Sequence, residues 1–212
     1  LIKLAQAENI SEFIAGLEGS PYYAPIANLE TQREMTLFNY ETQLDFLYFK
    51  AMWKTKDKVL TKKERVVIGH CFGSRLDLLN IQWIYRSKKY YNLPAAEIYA
   101  LLIPVKYKLR TEQIRRMADA VSLDDFFAVL KSTHYGKLPE ADWNEPPELE
   151  ALYHQILNRI YKGTGRRNPY SMAALDSYLY AKELELQKII AIIEGIRYGL
   201  PSDKIIAMAE KQ

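Results

Sequence analysis

A chain of 212 residues, 49% hydrophobic and 26% charged, is long enough to bury a core without staples and has an ordinary globular composition. Its 29 basic and 26 acidic side chains leave a formal charge of +3, short of the clustered excess that nucleic-acid binding calls for. The single cysteine, Cys71, excludes an internal disulfide and a cysteine zinc cluster, and no apolar run of about 18 residues is present to cross a membrane.

The chain begins at Leu1 with no basic-then-apolar leader, and this start is expected to be a cut edge. Ile10, Phe13, Ile14 and Leu17 recur at helical spacing, with Asn9 or Ser11 as the cap and Gly19-Ser20-Pro21 as the stop. A long helix is expected over 31–55, its stripe carried by Leu37, Leu44, Leu47, Tyr48, Ala51 and Met52 with Glu41 as a polar exception. Thr61 with Glu64 forms a capping box that opens a helix to about Tyr90. Pro94 fits a helix start, and the segment 95–102 continues until Pro104 breaks it. Short helices follow over 111–120 and 123–130, then a proline-rich loop over 137–147. Leu149, Leu152, Tyr153, Ile156, Leu157 and Ile160 mark a further helix, and 163–169 reads as a turn. Helices over 171–198 and 201–210 complete the chain, and no stretch alternates with period two, so the fold class is all-α.

The chain repeats itself. Residues 10–17 align with 123–130 at an offset of 123 − 10 = 113, and Tyr91-Asn92-Leu93-Pro94 aligns with Tyr198-Gly199-Leu200-Pro201 at 198 − 91 = 107. Two matches in the same order define two helical modules, 1–119 and 120–212, that share a continuous core.

Candidate chemistry is sparse. Asp77 and Asn80 lie i and i+3 on one face of an apolar helix, where polar side chains tie neighbouring elements together. Arg86, Lys88 and Lys89 fall in that helix's last turn and complement its dipole, which removes the need for a nucleic-acid explanation of a basic, tyrosine-rich end. His70 and Cys71 are adjacent, so they point about 100° apart on a helix, poor geometry for a nucleophile and its base. Glu150 and His154 have i, i+4 metal-ligand spacing but lack the companion pairs that such sites use, and read as a surface pair. The segment 162–167 lacks the phosphate-loop pattern and reads as a basic turn. No catalytic, cofactor-binding or metal residues are expected. An enzyme built on His70, His134 or His154 would require two of them to converge in a pocket.

Three segments carry a resemblance: residues 73–93 (GSRLDLLNIQWIYRSKKYYNL), 96–104 (AEIYALLIP) and 192–200 (IIEGIRYGL). Together they resemble the central-stalk subunit of V/A-type rotary ATPases, called C in bacteria and archaea and d in eukaryotes. That resemblance implies three helical modules around a pseudo-threefold axis forming a funnel, of which two are visible here and the first is expected to be missing. It implies a non-catalytic link between membrane rotor-ring subunits and central shaft subunits, without cofactor, nucleic acid or small-molecule substrate. Such a subunit would be peripheral on the cytoplasmic face of a membrane and would carry torque for proton or sodium transport. With a one-residue gap, Glu185 replaces Asp77 and Lys188 replaces Asn80 in the second copy, so Asp77, Asn80 and Glu185 form the expected structural polar motif. Arg86, Lys88 and Lys89 are the candidate partner interface. The competing class is a helical-repeat scaffold for an unrelated protein.

Overall fold

Helix-forming sequence with few glycines and prolines gives a chain of helices, and the computed structural model, which describes residues 2–30, 36–138 and 149–210, places none of these residues in a strand. They fall into two compact units, 1–54 and 55–212.

The first unit holds α1 (Ile2–Ala5), α2 (Ile10–Gly16), α3 (Tyr23–Glu30) and most of α4 (Leu37–Val59). Asn9 caps α2, its side chain accepting the Glu12 N–H at 2.9 Å, and Gly19 ends the segment in the left-handed region at φ 80°. Helix α3 is not foreshadowed by the sequence pattern. Its Pro25 stands in the first turn, where the absent N–H would have had no intrahelical partner. Of the helix expected over 31–55, residues 31–35 lie outside the described residues. The described part begins at Leu37 and passes Thr55 to end at Val59. None of its described residues is buried.

The second unit is organised around α5 (Lys62–Tyr91). It continues through α6 (Ala95–Ala100), α7 (Thr111–Asp119), α8 (Leu123–Ser132), a 3-10 turn (Tyr135–Lys137), α9 (Leu149–Arg167), α10 (Met172–Arg197) and α11 (Ser202–Glu210). Of the expected loop over 137–147, residues 139–147 lie outside the described residues. Helices α8, α9 and α10 all pack against α5. Glu64 meets Met172 and Arg75 meets Glu183, so α5 and α10 run the same way, and α9 returns antiparallel between them. The core is apolar and aromatic: Tyr85 lies 5.8 Å from the rings of both Phe126 and Phe127, which are 5.4 Å from each other.

Two local expectations need correction. Thr61 does cap α5, its hydroxyl accepting the Glu64 N–H at 3.4 Å, but the Glu64 carboxylate does not turn back to complete a box. It accepts the Met172 N–H of α10 at 3.2 Å, supplying the negative charge that the first turn of α10 lacks. Nor is 163–169 a turn from its start, because α9 continues through both glycines to Arg167. Gly165 serves close packing: a Cβ there would lie 2.7 Å from Cβ of Ser177 and 3.4 Å from the Ala173 carbonyl oxygen on α10. Gly165→Val is therefore expected to push α9 from α10 and lower stability by about 1–3 kcal/mol, read as a lower urea midpoint.

The long helices α5 and α10 end alike. Asn92 and Gly199 take left-handed φ angles of 47° and 65°. The next residue closes the helix in each, Leu93 N–H on Ser87 C=O at 3.1 Å and Leu200 N–H on Gly195 C=O at 3.0 Å. Pro94 and Pro201 then open the following helix, each carbonyl accepting N–H groups three and four residues on.

Candidate functional site

Between α6 and α7 the chain from Leu101 to Arg110 has no regular structure and contains Pro104. Backbone N–H groups buried there need acceptors that no helix supplies. Asn80 and Asp77 on α5 provide them, and both side chains are wholly buried. Asn80 pairs twice with Ile103, accepting its N–H at 2.8 Å and donating to its C=O at 3.1 Å. One turn earlier, Asp77 accepts from the Tyr107, Lys108 and Leu109 N–H groups at 3.0, 2.6 and 2.9 Å. Its fourth bond comes from the Tyr135 hydroxyl at 2.7 Å. One carboxylate thus ties α5, the α6–α7 connection and the turn after α8 together. Burial, then the Asp77 charge, holds the Tyr135 hydroxyl well above its usual range. Gly73, one turn before Asp77, lets the connection lie on the helix: a Cβ would come within 2.6 Å of Cγ of Tyr107.

Further polar ties join the same elements. Arg75 donates to both carboxylate oxygens of Glu183 at 3.0 and 2.6 Å, a two-pronged bridge from α5 to α10. Lys88 donates to the Ala120 carbonyl at 2.6 Å between α7 and α8. Lys89 is exposed, donates to the Tyr85 hydroxyl at 2.9 Å and sits 5.1 Å from the centres of the Tyr85 and Tyr90 rings. Arg86 is exposed. Glu185 lies on the surface of α10, bonded to Lys182 at 2.6 Å, and does not join the buried network. The α10 carboxylate that reaches α5 is Glu183. The Arg75–Glu183 bridge and the α10 partner of Glu64 escape a reading of the sequence, because each pair stands 108 residues apart and leaves no local pattern.

The reactive-looking groups sit in packing positions. Cys71 is buried, which pushes its thiol up to about 12. His70, His134 and His154 each lie against a tyrosine ring, those of Tyr107, Tyr135 and Tyr153, at 6.1, 5.3 and 5.1 Å. Among the described residues no group of three or more His, Cys, Asp or Glu side chains is placed to hold a metal, and no helix is long and apolar enough to cross a membrane.

Burial lowers the pKa of His70 and of His154 below 6.5, and for His70 the charges of Arg167, His134 and Lys108 add to it. A folded-state pKa below the unfolded one means that the unfolded chain binds more protons as pH falls. Stability is then full above pH 6.5 and declines below it. The urea midpoint is expected to drop between pH 7.5 and 5.5, and a His70→Gln, His154→Gln double variant should flatten that drop.

The class that these features define is an all-helical framework whose long helices are tied to one another, and to the connection between α6 and α7, by polar side chains. The model of the ATP synthase (C/AC39) subunit family matches residues 1–208, and the chain belongs to that family. Its relatives include the C subunit of the A-type ATP synthase of Thermococcus onnurineus (strain NA1), 31% identical over 210 residues, covering 95% of this chain and 54% of the relative. That of Desulfurococcus sp. (strain SY) is 29% identical over 214 residues, covering 97% and 56%. That of Methanocaldococcus jannaschii is 22% identical over 214 residues, covering 97% and 53%. The chain therefore spans about half the length of the curated relatives it matches. No solved structure matches it.

Proposed function

We propose that this chain is part of a non-catalytic central-stalk subunit of a rotary ATPase, joining the shaft to the membrane rotor ring on the cytoplasmic face and transmitting torque for ion transport. The observation that carries the reading is the family match across residues 1–208, shared with proteins named as the C subunit of A-type ATP synthases. The buried ties support it on mechanical grounds. A link under torque must resist shear between helices, and Asp77, Asn80 and the Arg75–Glu183 bridge each oppose such sliding. The modules 1–119 and 120–212 are two of three repeats in this reading, supported by the matched ends of α5 and α10. The exposed Arg86, with Lys88 and Lys89, is the proposed contact with shaft or ring; the ties that Lys88 and Lys89 make within the chain leave Arg86 the freest of the three.

Binding tests this. The full-length protein should co-elute with detergent-solubilised rotor ring and, separately, with purified shaft subunits. Reversal of charge at Arg86, Lys88 and Lys89 together should weaken one of these complexes. Binding to neither partner at low salt, where charge contacts are least screened, would replace the rotary reading with that of a helical scaffold for another protein. A silent charge reversal with intact binding would remove only the contact assignment.

A further inference from the structure

Positive charge collects at one place on the second unit. The Tyr107 ring, on the connection between α6 and α7, stands 6.1 Å from the His70 ring of α5 and 5.1 Å from Nζ of Lys108. The His134 ring lies 5.3 Å from that of Tyr135, whose hydroxyl donates to the same Asp77 carboxylate as the Tyr107 N–H. Arg167 ends α9, and Thr164, one turn before it, lies against Cys71, the neighbour of His70. The Arg167 Nε donates to the Gly163 carbonyl at 3.0 Å, which holds the guanidinium at the helix end. His70 is half-buried, whereas Lys108, His134 and Arg167 are exposed. The charges that act on His70 are those of Arg167, His134 and Lys108, all positive. Among the described residues neither Lys108 nor Arg167 is paired with a carboxylate. Asp77 is wholly buried and its four hydrogen bonds already answer its charge, while Asp176 of α10 bears on Cys71.

We propose that His70, Lys108, His134 and Arg167 bind a phosphate group beside the Tyr107 ring. Lys108 and Arg167 carry two positive charges, which match a doubly charged tetrahedral oxyanion, and the guanidinium offers a fork of N–H donors suited to its oxygens. The imidazoles add ring N–H donors, and protonation of either adds charge. Cations brought together from four separate stretches of chain repel one another, and a bound anion turns that repulsion into attraction. The anion also favours the charged form of His70, which its positive neighbours now oppose. The inference rests on this geometry and not on the torque-carrying role, which stands or falls by the binding test above.

Inorganic pyrophosphate titrated into the full-length protein at low salt should bind saturably, read by calorimetry. The His70 imidazole, followed by NMR, should then titrate about one pH unit higher than in the free protein. A Lys108→Gln, Arg167→Gln double variant, changed only at exposed side chains, should keep its helicity and lose at least tenfold in affinity. The charge-keeping pair Lys108→Arg, Arg167→Lys should retain most of it. Sedimentation with phosphatidylglycerol vesicles, against phosphatidylcholine vesicles, separates the sources of the phosphate. Phosphatidylglycerol binding lost in the glutamine variant assigns the site to a lipid headgroup, and pyrophosphate binding without it assigns the site to a free phosphate. Binding to neither probe overturns the proposal, and so does pyrophosphate binding that leaves His70 unmoved or that the glutamine variant retains. Shaft subunits held through Lys108 and Arg167 by a protein that binds neither probe would mean that acidic side chains of a protein partner fill the cluster, which also overturns it. If the glutamine variant unfolds, the His70 titration of the unaltered protein decides the question.

Discussion

Asp77→Ala is expected to destabilise the protein by about 3–5 kcal/mol, the upper end for a point substitution. The carboxylate accepts four hydrogen bonds, three of them from successive backbone N–H groups, at a wholly buried position. Each donor left without an acceptor costs about 1–3 kcal/mol, and the total stays below the sum because the freed connection relaxes and admits water. The amides of Tyr107, Lys108 and Leu109 should exchange hydrogen faster than the helices around them. Asp77→Asn should recover part of the loss, since its amide oxygen in the place of Oδ2 still accepts from Lys108, Leu109 and Tyr135, while its NH2 group faces the Tyr107 N–H. Wild-type stability and unchanged exchange in the alanine variant would remove Asp77 as the tie.

Phe126→Ala is expected to cost about 3–5 kcal/mol for a different reason. Its ring is wholly buried between Tyr85 and Phe127, at 5.8 and 5.4 Å, where α8 meets α5. Truncation opens a cavity that the surrounding helices fill only in part. Phe126→Leu should cost less, because most of the volume stays. The two alanine variants differ in where they loosen the fold. Removing the ring lowers the global unfolding midpoint and leaves the Asp77 bonds in place, so the 107–109 amides should keep their protection relative to the helices. Equal local loosening in both variants would mean that the polar tie and the core form one cooperative unit.

The sequence carries α5 to within a residue, because Thr61 marks its start and the helical pattern leads to about Tyr90 ahead of Pro94, against an observed end at Tyr91. It also marks Asp77 and Asn80 as buried, since polar side chains on an otherwise apolar stretch need partners. What it does not carry is who those partners are. They come from the chain at Ile103, Tyr107–Leu109 and Tyr135, brought in by tertiary folding. Gly163 and Gly165 read as a turn because glycine breaks isolated helices. In the fold, the approach of α10 at Ser177 rewards a residue without a side chain. The stripe on α4 shows the other limit: a 3.6-residue period says that a face exists and not what covers it. Glu185 fails to match Asp77 for a related reason. The alignment pairs the two positions by sequence, but Glu185 bonds to Lys182 on its own helix where Asp77 meets a backbone connection.

The central claim, that the intact protein joins two other components, is tested most directly by bridging. Detergent-solubilised rotor ring is immobilised and exposed to purified shaft subunits, with and without the full-length protein. Retention of the shaft subunits only when the protein is present, lost when it is washed out at high salt, is the predicted result. Shaft retention that does not depend on the protein, or a protein held by the ring that recruits no shaft, would contradict it.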